Sequence, residues 1–230
     1  MDQEKPLAAH LHFIMAMVGG FLGAYAILNR SDIFGSAQTA NMIELAMGIF
    51  GKSSGEVLIR VIALLLTISA LVATTIIPKH IKINMHIFSI ILDMLAVFAL
   101  GFFPKSMNNL VALYPVFFAS TFQWNCFRGV SGFGSSTIFS TNNLRQTVTS
   151  FIEYLYKKDE KELNKAKIFG GTILYYHIGV ILSYFSTKKF EIRGAWICIF
   201  PLIIALGIAI YQTDLIQARI NTGNGSGLGL

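Results

Sequence analysis

Apolar residues run in long, nearly unbroken stretches along this chain, and polar and charged residues gather in the short gaps between them. A hydrocarbon core of roughly 30 Å takes about 20 helical residues to cross. Runs of about that length lie at His10 to Leu28, Val57 to Ile77, Met85 to Phe103, Leu110 to Phe127, Ile168 to Phe185 and Ala195 to Tyr211. The pattern predicts an all-α membrane protein with six full transmembrane helices, because only a helix satisfies every backbone N–H and C=O within one segment where water is absent. The alternating ten-residue segments of a membrane barrel are not part of the pattern.

Two further segments, Asp32 to Phe50 and Gly132 to Tyr156, open on Gly, Ser, Thr and Asn and turn helix-forming only near Asn41 and Asn143. Each predicts a short strand leading into a half-helix, with Thr39 and Asn41, or Thr141 and Asn143, as cap residues at the break. Backbone of this kind is tolerated at membrane depth only where it is buried in protein or lines a polar cavity.

The two breaks correspond. Gly23-Ala24-Tyr25 leads to Thr39-Ala40-Asn41 and, 102 residues later, Asn125-Cys126-Phe127 leads to Thr141-Asn142-Asn143 with no gap. Two related halves follow, about 8–103 and 108–212, within one integral membrane domain over 1–220. The Gly-, Asn- and Ser-rich stretch Asn221 to Leu230 predicts a disordered tail. Three crossings per half would make the repeat inverted and four would make it parallel; both put the termini on one side.

Composition agrees with the bilayer as solvent. The chain is 54% hydrophobic and only 13% charged, with a mean hydropathy of +0.61, more apolar surface than one soluble core of 230 residues needs. The net charge of +6 is spread over the connections, which fits membrane topology rather than a nucleic-acid surface. The densest cluster, Lys157, Lys158, Lys161, Lys165 and Lys167, places its loop, and with it both termini, in the cytoplasm. Met1-Asp2-Gln3-Glu4-Lys5 lacks the cationic start of a secretory signal, so the first span reads as retained. Cys126 and Cys198 have no CxxC or histidine spacing, so neither a disulfide nor a metal or other cofactor is expected. The absence of a phosphate loop, an HExxH helix or a GxSxG elbow argues against an enzyme.

The candidate chemistry lies at the breaks. A half-helix starting inside the membrane offers free N–H groups and the positive end of its dipole, and two such ends would favour an anion. Thr39, Asn41, Thr141 and Asn143 are candidate solute ligands, with the amides of Gln123 and Asn125 beside them. Arg145 is a further one, since a guanidinium near a helix start opposes the dipole and calls for an external anion. Asp93, in the middle of an apolar run, is the candidate coupling group, because an ionised carboxylate there costs at least about 2.5 kcal/mol. Glu44 has capping-box spacing from Asn41, and Arg128 is expected to snorkel. His10 and His12 point to different helix faces, and neither they nor His86 and His177 show metal-ligand spacing. They read as interfacial or helix-bridging.

Gly19-Gly20-Phe21-Leu22-Gly23-Ala24-Tyr25, Ala37-Gln38-Thr39-Ala40-Asn41, Phe122-Gln123-Trp124-Asn125-Cys126-Phe127-Arg128 and Thr141-Asn142-Asn143-Leu144-Arg145 together resemble the bacterial YoaK-type family of small multi-pass membrane proteins, grouped under a domain of unknown function. The resemblance runs from about Leu11 to Tyr211 and implies a bacterial inner-membrane protein. The family pattern has an acidic residue where this chain has Gly23, so ion coupling is not expected at that position. The expectation is a secondary transporter for a small anionic or zwitterionic solute bound between the two half-helix starts. The rivals are an ion channel using the breaks as a filter and a non-transporting protein that binds a partner or senses a ligand. A chain this small would suit a homodimer.

Overall fold

The computed structural model describes residues 4–30, 38–51 and 53–225. Among them every regular element is helical: α1 (Glu4–Asn29), α2 (Gln38–Gly51), α3 (Ser54–His80), α4 (Met85–Leu100), α5 (Asn109–Ala112), α6 (Tyr114–Cys126), α7 (Ser140–Lys157), α8 (Glu160–Phe190), a 3-10 segment (Glu191–Cys198) and α9 (Ile199–Gly225). Three stretches are long and apolar enough to cross a membrane: Pro6–Asn29, Ser54–His80 and Glu160–Ala218. The last contains α8 and α9, joined through the 3-10 segment, where Glu191 takes a φ of +53° and the chain folds back. Met85–Leu100 is apolar but shorter.

Local chemistry sets the boundaries. Asn84 caps α4 by accepting from the N–H groups of His86 and Ile87 at 3.0 and 3.1 Å. The apolar run expected as one helix from Leu110 to Phe127 is split, because Pro115 at the start of α6 has no N–H to continue α5. Lys158, with φ +55°, closes α7 in the left-handed conformation, and Asp159 immediately caps α8, so these two helices form a tight hairpin. At the other end of the chain, helical backbone continues to Gly225, through the first part of the tail expected to be disordered, because extending an existing helix needs no new nucleus. Residues 226–230 lie outside the described ones.

Long-range contacts fix the directions of the helices. His12 faces His86 and Tyr25 Oη donates to Leu100 O, so α1 runs parallel to α4. Phe13 stacks on Tyr175 and Asn29 Nδ2 donates to Thr187 Oγ1, so α8 runs the same way. Tyr114 Oη donates to Ile59 O at 2.8 Å and Asn125 Nδ2 to Thr74 Oγ1 at 3.0 Å, aligning α3 with α6. The stacked His86 and Phe127, with Phe88 against Phe122 and Ala96 near Pro115, set α6 antiparallel to α4. Trp196 at Phe98 and Thr213 at Asn84 do the same for α9. Thus α1, α4 and α8 point one way and α3, α6 and α9 the other.

α1 is the centre. Of its apolar window 72% is buried, against 22% for α3, and its inward residues Leu11, Met15, Val18, Phe21, Leu22 and Tyr25 form the core with Ile90, Val97, Leu202 and Ala205. Glycines bring α8 onto it: a Cβ at Gly20 would lie 2.0 Å from Tyr176 O, and one at Gly179 would lie 1.9 Å from Met17 O. Small residues at such crossings let backbones meet where the solvent offers no hydrophobic driving force. The outer faces are apolar, with Leu58, Leu65 and Val72 of α3, Leu174, Ile181 and Phe185 of α8, and Phe200, Ile203 and Ile204 of α9 exposed. Thr67, Thr74, Thr172 and Ser183 are buried instead. Polar residues inside and apolar residues outside match a protein solvated by lipid.

Candidate functional site

The second break lies at mid-depth in this bundle. Thr137 O abuts Gly19, where a Cβ would lie 2.2 Å away, and Gly19 is near the middle of α1. From there α7 runs about 27 Å (18 residues at 1.5 Å each) back along α8 to the basic loop. Thr147 lies against Gly170, and α7 turns Asn143 and Ser150 inward while exposing Leu144, Val148, Phe151, Ile152 and Leu155.

The strand expected in this segment is absent. A single antiparallel bridge joins Val130 to Phe133, with N–H···O distances of 3.1 and 3.0 Å, and residues 134–139 have no neighbouring strand to pair with. The turn depends on Gly129, whose φ of +148° and 2.0 Å approach to Phe133 O exclude a side chain.

Side chains hold the loop instead. Ser136 Oγ accepts from the N–H groups of Ile138 and Phe139 at 3.3 and 3.1 Å. Asn143, fully buried, folds back: its Nδ2 donates to Ser136 O at 2.7 Å, and its Oδ1 accepts from Ser136 N at 3.1 Å and Ser135 Oγ at 3.4 Å. Gln123 supports the loop from beneath, donating to Met15 O at 2.8 Å and Thr137 Oγ1 at 2.9 Å. α7 therefore begins at Ser140, and Thr141 and Asn143 lie inside it rather than capping it. No side chain caps α7; Ser136 Oγ instead closes the turn just before it.

Two cavities flank the loop. One, of about 260 Å³, is lined by Trp124, Asn125, Arg128, Gly134, Ser135 and Ser136. Its guanidinium is held by Asn125: Arg128 Nε donates to Asn125 O and Nη2 to Asn125 Oδ1, both at 2.9 Å. The other, of about 380 Å³, lies between α1, α7 and α8 and includes Gly23, Phe139, Ser140, Thr141, Tyr176 and His177.

Of the residues expected to share one site, Asn125 and Thr141 line these two cavities, and Asn143 and Gln123 lie beneath the loop between them, Gln123 bonded to it through its Nε2 alone. Arg145 lines neither cavity; it is exposed and donates to Asn142 Oδ1 at 3.0 Å on its own helix. Thr39 and Asn41 belong elsewhere. α2 is helical from Gln38 and packs on α3, so Asn41 is no cap there. Its amide exchanges two 3.4 Å hydrogen bonds with Arg60, which also pairs with Glu44 at 3.2 Å. Thr39 is exposed. Neither cavity beside the second break takes a residue from α2. The polar stretch before α2, residues 31–37, lies outside the described ones. Asp93 is fully buried on α4 with neither carboxyl oxygen hydrogen-bonded.

Arg128, Ser135 and Ser136 are not among the expected solute ligands, although the sequence puts the backbone of Ser135 and Ser136 in protein or beside a polar cavity. Arg128 was read as a snorkelling side chain, although a cation three residues after a helix-terminal Asn is a recurrent way to satisfy the last carbonyls of a helix.

The match to known families covers most of the chain: residues 11–211 fit the family described as protein of unknown function (DUF1275). No curated protein and no solved structure matches.

Proposed function

The chain belongs to the DUF1275 family, and from its own geometry we propose that it carries a small anionic or zwitterionic solute across the membrane, with the cavity at Arg128 as the binding site. The observation that carries this reading is the irregular loop 128–139, which starts at the exposed Arg128 and reaches the middle of α1 at Thr137, beside a polar cavity that Arg128 lines. Backbone of that kind is tolerated at such depth where it is buried in protein or lines a polar cavity, and this loop borders one. A cavity of about 260 Å³ suits a molecule of a few heavy atoms.

In this reading α1, α3, α4, α6 with α5, α8 and α9 are six crossings, and α2 and α7 are half-helices. α7 descends toward the end of the bundle where α1 begins. α2 forms a hairpin with α3 and ends at the opposite face. Each half then has three crossings in opposed directions, an inverted repeat of the kind that supports alternating access. The end bearing Lys79, Lys82, Lys157 and Lys158 is the cytoplasmic one, with both termini there. The YoaK-type resemblance supports a bacterial inner membrane.

The test is ligand-dependent thermal stabilisation of the detergent-solubilised protein against inorganic phosphate, sulfate, small carboxylates and amino acids. A ligand at 100 times its Kd stabilises by about 2.7 kcal/mol. Arg128→Gln is expected to weaken the hit 10- to 100-fold, the worth of one charge-assisted contact of about 1.5–3 kcal/mol, and Arg145→Gln to leave it within threefold. The opposite ranking would move the site away from this cavity.

A further inference from the structure

A second polar feature runs inside the bundle, away from the loop. On α4, His86, Ser89 and Asp93 fall at i, i+3 and i+7, one face of the helix spanning about 10 Å along its axis. The seam opens at one end: His86 is solvent-exposed, stacks on Phe127 with ring centroids 4.6 Å apart, and places Nε2 3.2 Å from Cys126 O. It then goes dark. His12 of α1 lies within electrostatic range of His86 and is buried with both ring nitrogens unpartnered, the buried Ser89 hydroxyl meets the Cys126 thiol, and both Asp93 oxygens are buried without a partner. Unsatisfied buried groups are costly, and an unpartnered imidazole and an unpartnered carboxyl on a path from an exposed imidazole call for a function.

The groups facing Asp93 narrow it. Within electrostatic range of it lie the Cys126 thiol of α6 and the Cys198 thiol of the 3-10 segment, and Ser89 and His86 share its face of α4. No cation stands among them, and among the described residues no group of three His, Cys, Asp or Glu converges to hold a metal ion. The species such a carboxyl can exchange is a proton. Cys126 also lies within electrostatic range of Arg128, so it stands between the seam and the solute cavity.

We propose that Asp93 is the coupling site of a proton–solute symporter, loaded from the cytoplasmic end through His86, His12 and the Ser89 hydroxyl; this rests on the transport reading above. The proton passes from water to an imidazole nitrogen of His86, on to His12, and by way of the hydroxyl to a carboxylate oxygen of Asp93, with no other bond made or broken. A monoanion on Arg128 and a proton on Asp93 bind with no net change in charge, so loaded and empty forms cross the membrane at the same formal charge. The conformation described here encloses Asp93, and discharge belongs to the alternative one.

Infrared spectroscopy of the purified protein tests the site without any solute. A carboxylic-acid C=O band at neutral pH, missing from Asp93→Asn, is expected, and its shift on transfer to D₂O reports access to the proton. His12→Leu and His86→Leu should each slow that exchange at least tenfold. Ser89→Ala, the mildest change, should slow it in the same direction. A wild-type protein without the band, or exchange indifferent to all three substitutions, would overturn the proposal. If instead the band and its exchange behave as expected while the Arg128 ranking fails, the solute cavity is wrong and the proton site stands.

Discussion

Asn143→Leu is expected to lower stability by about 2–4 kcal/mol and to abolish solute binding, with the fold otherwise retained in the α1–α8 core. The side chain makes three hydrogen bonds to Ser135 and Ser136. Leucine would remove all three and leave the N–H and C=O of Ser136 unsatisfied in a half-buried place, at about 1–3 kcal/mol for each stranded group. The loop then loses the geometry that sets one wall of the cavity. Asn143→Asp keeps the acceptor for Ser136 N–H but not the donor for Ser136 C=O, so its loss should fall between. Thermal unfolding in detergent, with binding measured on the same samples, checks both effects. An Asn143→Leu protein melting with the wild type would mean the loop does not rely on this clamp.

Larger still is the effect expected at the α1–α8 crossing. Gly179→Val and Gly20→Val each put a side chain within about 2 Å of a backbone carbonyl of the facing helix, where normal contact needs 3 Å or more. Backbone meets backbone there, so no flexible side chain can yield, and the two helices must separate. Overpacking that can relax costs about 1–3 kcal/mol; this case exceeds it and should consume most of a stability of about 5–15 kcal/mol. Neither variant should give a monodisperse peak in detergent size-exclusion chromatography. Gly207→Ala is the control: nothing lies within 4 Å of its Cβ position, and alanine favours the helix by up to about 1 kcal/mol.

How far the sequence alone leads differs between fold and site. Long apolar runs with capping signals were legible because bilayer and helix leave few choices; Asn84 announces α4 at the residue where it begins. The second break was legible as a place, since Gly129, Gly132 and Gly134 cannot be an ordinary helix interior. Its internal wiring was not. Ser140, Thr141, Asn142 and Asn143 are four successive residues that all favour a helix start, and nothing local reveals that Ser136 closes the preceding turn while Asn143 turns back. Arg145 and Arg128 are equally basic on paper. Only the fold distinguishes them, by placing one at a cavity and leaving the other on an exposed helix face. His12 and His10 were correctly separated onto two faces, since His12 is buried and His10 is exposed. What periodicity could not supply was the neighbour: His12 comes within electrostatic range of His86 only because α1 and α4 run parallel.

The pairing of the two breaks asks for a further distinction. Asn41 and Asn143 occupy equivalent positions in the repeat, and each is a buried amide that fastens its half-helix. Asn143 fastens α7 to its own preceding loop, and Asn41 fastens α2 to Arg60 of α3. On the proposed repeat and binding site, the mechanical role is kept in both halves, and the ligand-facing role falls to Arg128 and Asn125 in the second.

The most direct test of the central claim is uptake into proteoliposomes of radiolabelled phosphate, sulfate, small carboxylates and amino acids. Saturable uptake of at least one of them is predicted, at least tenfold weaker in Arg128→Gln and unchanged in Arg145→Gln. A folded protein that takes up none of them, or that conducts as an open pore in single-channel recordings, would contradict it.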